Sequence, residues 1–230
     1  MPTVPPSSIV PTLTQLQTVP DLPEIRLQLA HDTMALWEEM EQAIGDGQLP
    51  PPFWATAWAG GVALARYLLD HPAVVAGRDV IDVATGSGVV AIAAALAGAR
   101  TVTACDTDRV AIEAATTNAE LNRVAITTTV SDVRAVRAEA GALVTAGDVF
   151  YEREIATAMG HALAELRDGG AEVLIGDPHR SFLPFEALEE LASYDVTVDP
   201  AVETVTVKET MVARLIGVPT PITLTRPGRR

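Results

Sequence analysis

From Glu24 onward, apolar residues recur at spacings near three and four: Ile25, Leu29, Met34, Trp37, Met40 and Ile44, followed by Gly45 and Gly47. That period predicts an amphipathic helix over 24–44. Residues 49–54 hold three consecutive prolines, and proline disfavours helical dihedrals in the residue before it, so an extended segment is predicted there. Residues 60–69 read as a second helix, closed by Asp70-His71-Pro72. Past this point the pattern changes. Short apolar or β-branched runs at 80–83, 101–105, 124–130, 142–146 and 172–175 predict five strands. Helical stretches at 89–97, 109–122 and 152–167 lie between them, the last with Ile155, Met159, Leu163 and Leu166 on one stripe. A further helix is predicted over 184–193. The tail, 196–198, 204–208 and 211–216, reads as strand with only short turns between.

Strands alternating with helices imply a parallel sheet covered on both faces, and a terminal run of strands joined by turns implies an antiparallel edge. The prediction is a doubly wound α/β fold carrying N-terminal helices. Residues 1–23 are rich in Pro, Thr and Ser, with no charge before Asp21, and are expected to form a flexible arm. Residues 24–230 are expected to form a single domain without internal repeats.

Composition narrows the range of partners. Of 230 residues, 30 are acidic and 16 basic, a net charge of −14. Such a balance argues against nucleic acid and anionic membranes, both of which call for clustered Lys and Arg, and suits a cationic partner. Hydrophobic residues make up 48%, enough for a self-sufficient core, but aromatics only 4%, so alanine and valine must do most of the packing. One cysteine, Cys105, precludes an intramolecular disulfide. No apolar run is long enough to span a membrane, and the start lacks the basic and apolar regions of a leader. The expectation is a soluble cytoplasmic protein. His31, His71, His161 and His179 are too scattered to suggest a metal site, and none is expected.

The most informative local chemistry is Asp82-Val83-Ala84-Thr85-Gly86-Ser87-Gly88, between the first strand of the alternating region and its helix. Gly86 and Gly88 allow a tight turn against a ligand, with the helix amides facing the same crevice. Eighteen positions beyond Gly88, Asp106 ends the second strand, where a carboxylate can accept hydrogen bonds from both ribose hydroxyls of a nucleoside. Two ligand classes compete. Gly86-Ser-Gly-Val-Val-Ala91 fits the dinucleotide pattern G-x-G-x-x-G/A, which implies an NAD-binding oxidoreductase. Asp82, however, suits S-adenosylmethionine, whose ammonium and sulfonium favour a nearby carboxylate, better than a pyrophosphate.

Several blocks resemble the class I, or seven-β-strand, S-adenosylmethionine-dependent methyltransferases, and among them the group that modifies lysines of the electron transfer flavoprotein β subunit. They are Pro52-Phe-Trp-Ala-Thr-Ala-Trp-Ala-Gly-Gly61, Ala65-Arg-Tyr-Leu-Leu-Asp-His-Pro72, the 82–88 turn, Gly147-Asp-Val-Phe-Tyr-Glu152 and Gly176-Asp-Pro-His-Arg180. The glycine turn marks only the superfamily; Asp148-Val-Phe-Tyr151 and the Trp-Ala-Gly-Gly block are more specific. The resemblance implies a seven-stranded, mostly parallel sheet, S-adenosylmethionine as cofactor with S-adenosylhomocysteine as product, and a lysine-bearing protein as acceptor. By the same resemblance, Trp58, Asp82, Thr85, Gly86, Ser87, Gly88, Asp106, Asp132 and Val133 contact the cofactor, while Asp148, Phe150 and Tyr151 line the acceptor side. His179 stands where that pattern has glycine, which bears on acceptor identity.

In this reading Asp148 orients the acceptor amine and Tyr151 shapes its channel. Each residue also has a plainer role open to it: Asp148 as a helix cap, Phe150 and Tyr151 as core aromatics, and Trp54 and Trp58 as a clamp on the N-terminal helix. Three other functions remain: a small-molecule amine N-methyltransferase, a non-catalytic S-adenosylmethionine-binding protein, and the NAD-binding oxidoreductase.

Overall fold

A computed structural model describes residue 10 and residues 13–44, 49–199 and 202–219. A seven-stranded sheet is built from β3 (Asp79–Val83), β4 (Thr101–Asp106), β5 (Thr127–Val130), β6 (Leu143–Gly147), β7 (Glu172–Asp177), β8 (Leu188–Thr197) and β9 (Val207–Leu215), in the order β5-β4-β3-β6-β7-β9-β8. The five strands β3 to β7 pair parallel. β9 inserts antiparallel between β7 and β8. This is the predicted doubly wound sheet with an antiparallel edge. Its strand order reverses beside β3, and such a switch point leaves a crevice at the carboxyl ends of the strands.

Helices α2 (Ala59–Asp70) and α3 (Val89–Leu96), with the end of α4 (Arg109–Leu121), share one buried cluster with Val80, Val102, Ala104 and Leu143. On the opposite face α5 (Arg153–Asp168) packs Met159, Leu163 and Leu166 against Val83, Cys105, Val144 and Ile175. Alanine makes this possible. The buried faces of α3 and α4 include Ala91, Ala93, Ala94, Ala114, Ala115 and Ala119, whose small side chains let the helices lie close to the strands.

Two predicted elements differ. The helix expected over 24–44 is a strand followed by a helix: β2 (Leu22–Leu29) pairs antiparallel with β1 (Gln15–Val19), and α1 (Thr33–Ile44) begins only after Asp32. Leu22, Ile25, Leu27 and Leu29 are all buried, and the last three alternate with exposed or half-buried neighbours, a period of two. Ile25 and Leu29 fit a helix as well as a strand; Leu27 decides between them. Asp32 accepts hydrogen bonds from the amides of Met34 and Ala35, both at 3.0 Å, and so starts α1 where the side-chain cap lies. Part of the expected arm is therefore ordered strand, while residues 1–9 and 11–12 lie outside the described residues. The helix expected over 184–193 is a 3-10 turn at Phe185–Ala187 that leads straight into β8. Pairing with β9 along nine positions overrides the helix preference of Leu-Glu-Glu-Leu-Ala.

Candidate active site

β3 ends at Val83, and the chain turns through Ala84 (φ 51°), Gly86 (φ 51°) and Gly88 (φ 82°) into α3. Glycine is required at 88, where a Cβ would lie 2.9 Å from the Cα of Ala115 as well as in the left-handed region. Beneath the turn, Asp82 is fully buried and accepts hydrogen bonds from the hydroxyls of Thr85 (2.5 Å) and Thr145 (2.8 Å). Burial pushes its carboxyl up to about 6, against the pull of those two bonds. Asp82 thus acts on the crevice through Thr85, bracing the turn from behind. Ser87 is also buried, and its carbonyl accepts a bond from the Asn118 side-chain amide at 2.9 Å.

At the end of β4, Asp106 takes the Gly86 amide on one oxygen and the Asp108 amide on the other, both at 3.0 Å. It stays partly open to the crevice, and burial raises its carboxyl. Its free lone pairs and the loop glycines form a cradle suited to the ribose and amino-acid portions of S-adenosylmethionine. Asp132, at the rim after β5, is held by Arg134 through its amide (2.9 Å) and guanidinium (2.8 and 2.6 Å), which lowers its carboxyl to about 2. Val133 beside it is half-buried against the α5 face.

The acceptor-side residues separate. Asp148 follows β6 in a left-handed conformation (φ 56°) with its side chain almost buried. One oxygen accepts the Gly60 amide; the other is 2.8 Å from Nε of Arg180. Burial raises this carboxyl while the guanidinium opposes the rise. Asp148 caps the start of α2, and not α5, whose N-cap is Glu152. Phe150 does not line the crevice. It is 1% exposed and belongs to the core under α5, so its acceptor-wall role is replaced by packing. Tyr151, by contrast, is 40% exposed.

Four further residues complete the arrangement. Gly60 lets α2 approach the strand ends, since a Cβ there would overlap the Gly176 carbonyl oxygen and reach 2.7 Å from Asp148 Oδ2. Arg180 ion-pairs with Asp148 and with Glu203, each at 2.8 Å, and lies 5.7 Å above the Trp58 ring. Asp177 is fully buried; one oxygen accepts the Arg180 amide at 2.6 Å and the other has no partner, and burial pushes the carboxyl up to about 7. Phe53 meets both Trp58 (ring centroids 5.8 Å) and Tyr151 (5.3 Å). A signal for part of this set was present in the chain: Gly147-Asp148 and Gly176-Asp177 repeat one dipeptide, and the two glycines are paired across β6 and β7. His179 has φ 60°, which explains why glycine suits that position; its ring stacks on Phe185 at 5.6 Å.

The sheet order, the glycine turn after β3 and the acid ending β4 together define a class I methyltransferase fold. The magnesium protoporphyrin IX methyltransferase of Synechocystis, solved with bound S-adenosylmethionine, superposes with a TM-score of 0.52 over 80% of this chain and 92% of its own, at 18% identity. Residues 63–150 match the family model described as ribosomal protein L11 methyltransferase. The electron transfer flavoprotein β subunit lysine methyltransferase of Xenopus laevis is 37% identical over 199 residues, which are 84% of this chain and 79% of the relative. The zebrafish protein of the same name is 41% identical over 69% of this chain, and the match spans 61% of that relative, less than two thirds of its length. The chain belongs to the electron transfer flavoprotein β subunit lysine methyltransferase family.

Proposed function

We propose that the protein is an S-adenosylmethionine-dependent N-methyltransferase acting on lysine side chains of a protein, with an electron transfer flavoprotein β subunit as the acceptor suggested by the names of its relatives. The supporting observation is the convergence, at one end of the sheet, of the Gly86–Asp106 cradle with the Asp148–Tyr151 corner. When bound, S-adenosylmethionine would supply an electrophilic methyl carbon: an amine lone pair forms the new N–C bond as the C–S bond breaks in line, and S-adenosylhomocysteine leaves.

The chain's own residues supply the alignment. Asp106 and the loop amides fix the cofactor end. Asp148 is a positioning residue: with both oxygens engaged, it pins the start of α2 and Arg180, and through them Trp58. Tyr151 keeps its proton at neutral pH, because burial and the nearby Glu152 and Asp106 raise its phenol. A lysine ammonium, with a reference pKa of about 10.4, has to shed its proton to react, and its removal from water in the crevice favours the neutral amine. That proton passes to solvent before the amine attacks.

Titration calorimetry with S-adenosylhomocysteine and NAD, followed by incubation with labelled S-adenosylmethionine and recombinant β subunit, tests the proposal. Binding of S-adenosylhomocysteine and label on a lysine are expected. Binding of NAD alone overturns it.

A further inference from the structure

Resting on the lysine reading above, we infer that Phe53, with Tyr151 and Trp58, forms the wall that grips the acceptor lysine, in the place that Phe150 was expected to fill. The three rings come from the 3-10 turn Phe53–Ala55, from Trp58 just before α2, and from the segment after β6. Phe53 touches both of the others, at 5.8 and 5.3 Å, and the Trp58 indole donates to the Phe53 carbonyl at 2.8 Å. The set is held as a unit and is not a chance patch.

Its position is fixed on both sides. Trp54, next to Phe53, places its Cα 3.8 Å from where a Gly86 Cβ would sit, so Phe53 adjoins the cofactor turn. Tyr151 is three residues beyond Asp148 and feels the charge of Asp106. The rings therefore stand between the cradle and the acceptor corner. Phe53 and Tyr151 are each 40% exposed, in a chain with only ten aromatic Phe, Tyr and Trp residues. The Arg180 guanidinium already lies over the Trp58 ring, which leaves Phe53 and Tyr151 as the rings open to an incoming side chain.

The chemistry matches an unbranched alkylamine. Four methylenes pack on ring faces, and a cation at the tip is attracted by the same faces, more so when its hydration shell is thin. Phe53 and Tyr151 are thus a specificity device for the acceptor, separate from the Gly86–Asp106 cradle that holds the cofactor.

The test compares wild type with Phe53→Ala and Phe53→Tyr, measuring the S-adenosylhomocysteine dissociation constant by calorimetry and KM and kcat on the recombinant β subunit. Phe53 is exposed, so the variants should fold, and the calorimetry verifies it. Expected for Phe53→Ala is a KM raised about tenfold, with kcat and S-adenosylhomocysteine affinity within twofold; Phe53→Tyr should recover most of the loss. An unchanged KM, or an equal loss of S-adenosylhomocysteine affinity, overturns the inference. A second arm does not depend on the acceptor: tetramethylammonium should bind the S-adenosylhomocysteine-loaded protein and lose that binding in Phe53→Ala. If wild type binds S-adenosylhomocysteine but leaves the β subunit unmodified, the choice of acceptor fails, and the tetramethylammonium arm alone decides the wall: absence of binding, or binding unaffected by Phe53→Ala, refutes it.

Discussion

The carboxylate of Asp148 joins two segments distant in sequence, accepting the amide of Gly60, 88 residues earlier, and the guanidinium of Arg180, 32 residues later, at 2.8 Å. Removing Arg180 leaves the buried Asp148 charge without its cation, at a cost of about 3 kcal/mol, whereas removing Asp148 leaves Arg180 still paired with Glu203. Arg180→Met should lower stability by about that amount in urea denaturation and Asp148→Ala by less, and the double variant should lose clearly less than the sum. Asp148→Asn keeps an acceptor for Gly60 but gives up the charge. It should bind S-adenosylhomocysteine within about threefold of wild type and lose most of its turnover.

Ala84 occupies the left-handed region in the middle of the cofactor turn, with its Cβ exposed. That conformation costs a non-glycine residue about 1 kcal/mol. Ala84→Gly should therefore raise the melting temperature by about 2–4 °C in a calorimetric scan. His179→Gly relieves a similar φ but forfeits the stack on Phe185, worth about 0.5–1.5 kcal/mol, so its melting temperature should stay close to wild type.

Stability should fall as pH rises from about 4 to about 7. Asp82 and Asp177 carry carboxyls raised to about 6 and about 7, so across that window the native state holds protons that the unfolded chain has released. Their stabilising contribution is complete below the unfolded pKa and is lost as pH passes the folded value. Asp79 and Asp132, both lowered to about 2, act in the opposite sense but only below about 4. Asp177→Asn, which can still accept the Arg180 amide, should flatten the decline between pH 5 and 7. Urea midpoints measured at half-unit pH steps provide the comparison.

Asp106 should dominate cofactor affinity. Charge-assisted bonds to a carboxylate contribute about 1.5–3 kcal/mol each, and Asp106→Ala also releases the Gly86 amide. About 100-fold weaker binding of S-adenosylhomocysteine is expected by calorimetry, with Asp106→Asn intermediate. Equal affinity in all three proteins contradicts the cradle.

The alternating core from β3 to β7 could be read directly, because each strand is a short apolar or β-branched run and each helix carries its own alanine stripe. Two errors arose where one sequence satisfies two periods. Ile25 and Leu29 sit four apart, and only the burial of Leu27 settles the strand; residues 188–193 are good helix formers made strand by β9. Within the site, the meeting of the glycine turn with Asp106 was legible, because the two end strands that follow each other in sequence. The Arg180 pairing with Asp148 was not, since no period or spacing links residues on different strand ends. Phe150 and Tyr151 are adjacent, yet they point to opposite sides of the wall, one into the core and one into the mouth. Phe53 stands in the Pro52–Gly61 block that carries the family resemblance, but nothing in that block gave its ring a role.

Asn118 on α4 and Asn122, the C-cap of that helix one turn on, serve β2 as a neighbouring strand would. Asn118 accepts the Gln28 amide at 2.6 Å, and Asn122 exchanges bonds with both backbone groups of Arg26, at 3.0 and 2.6 Å. The same Asn118 side chain donates to the Ser87 carbonyl in the cofactor turn. One amide therefore ties residue 28 to residue 87 by way of residue 118. That side of the cofactor turn is finished only when a hairpin from early in the chain returns to a helix about 90 residues downstream, so early and late parts of the sequence must both be in place before the floor of the crevice is whole. The side chains of a helix also cap an edge that would otherwise be free to recruit a strand from another molecule.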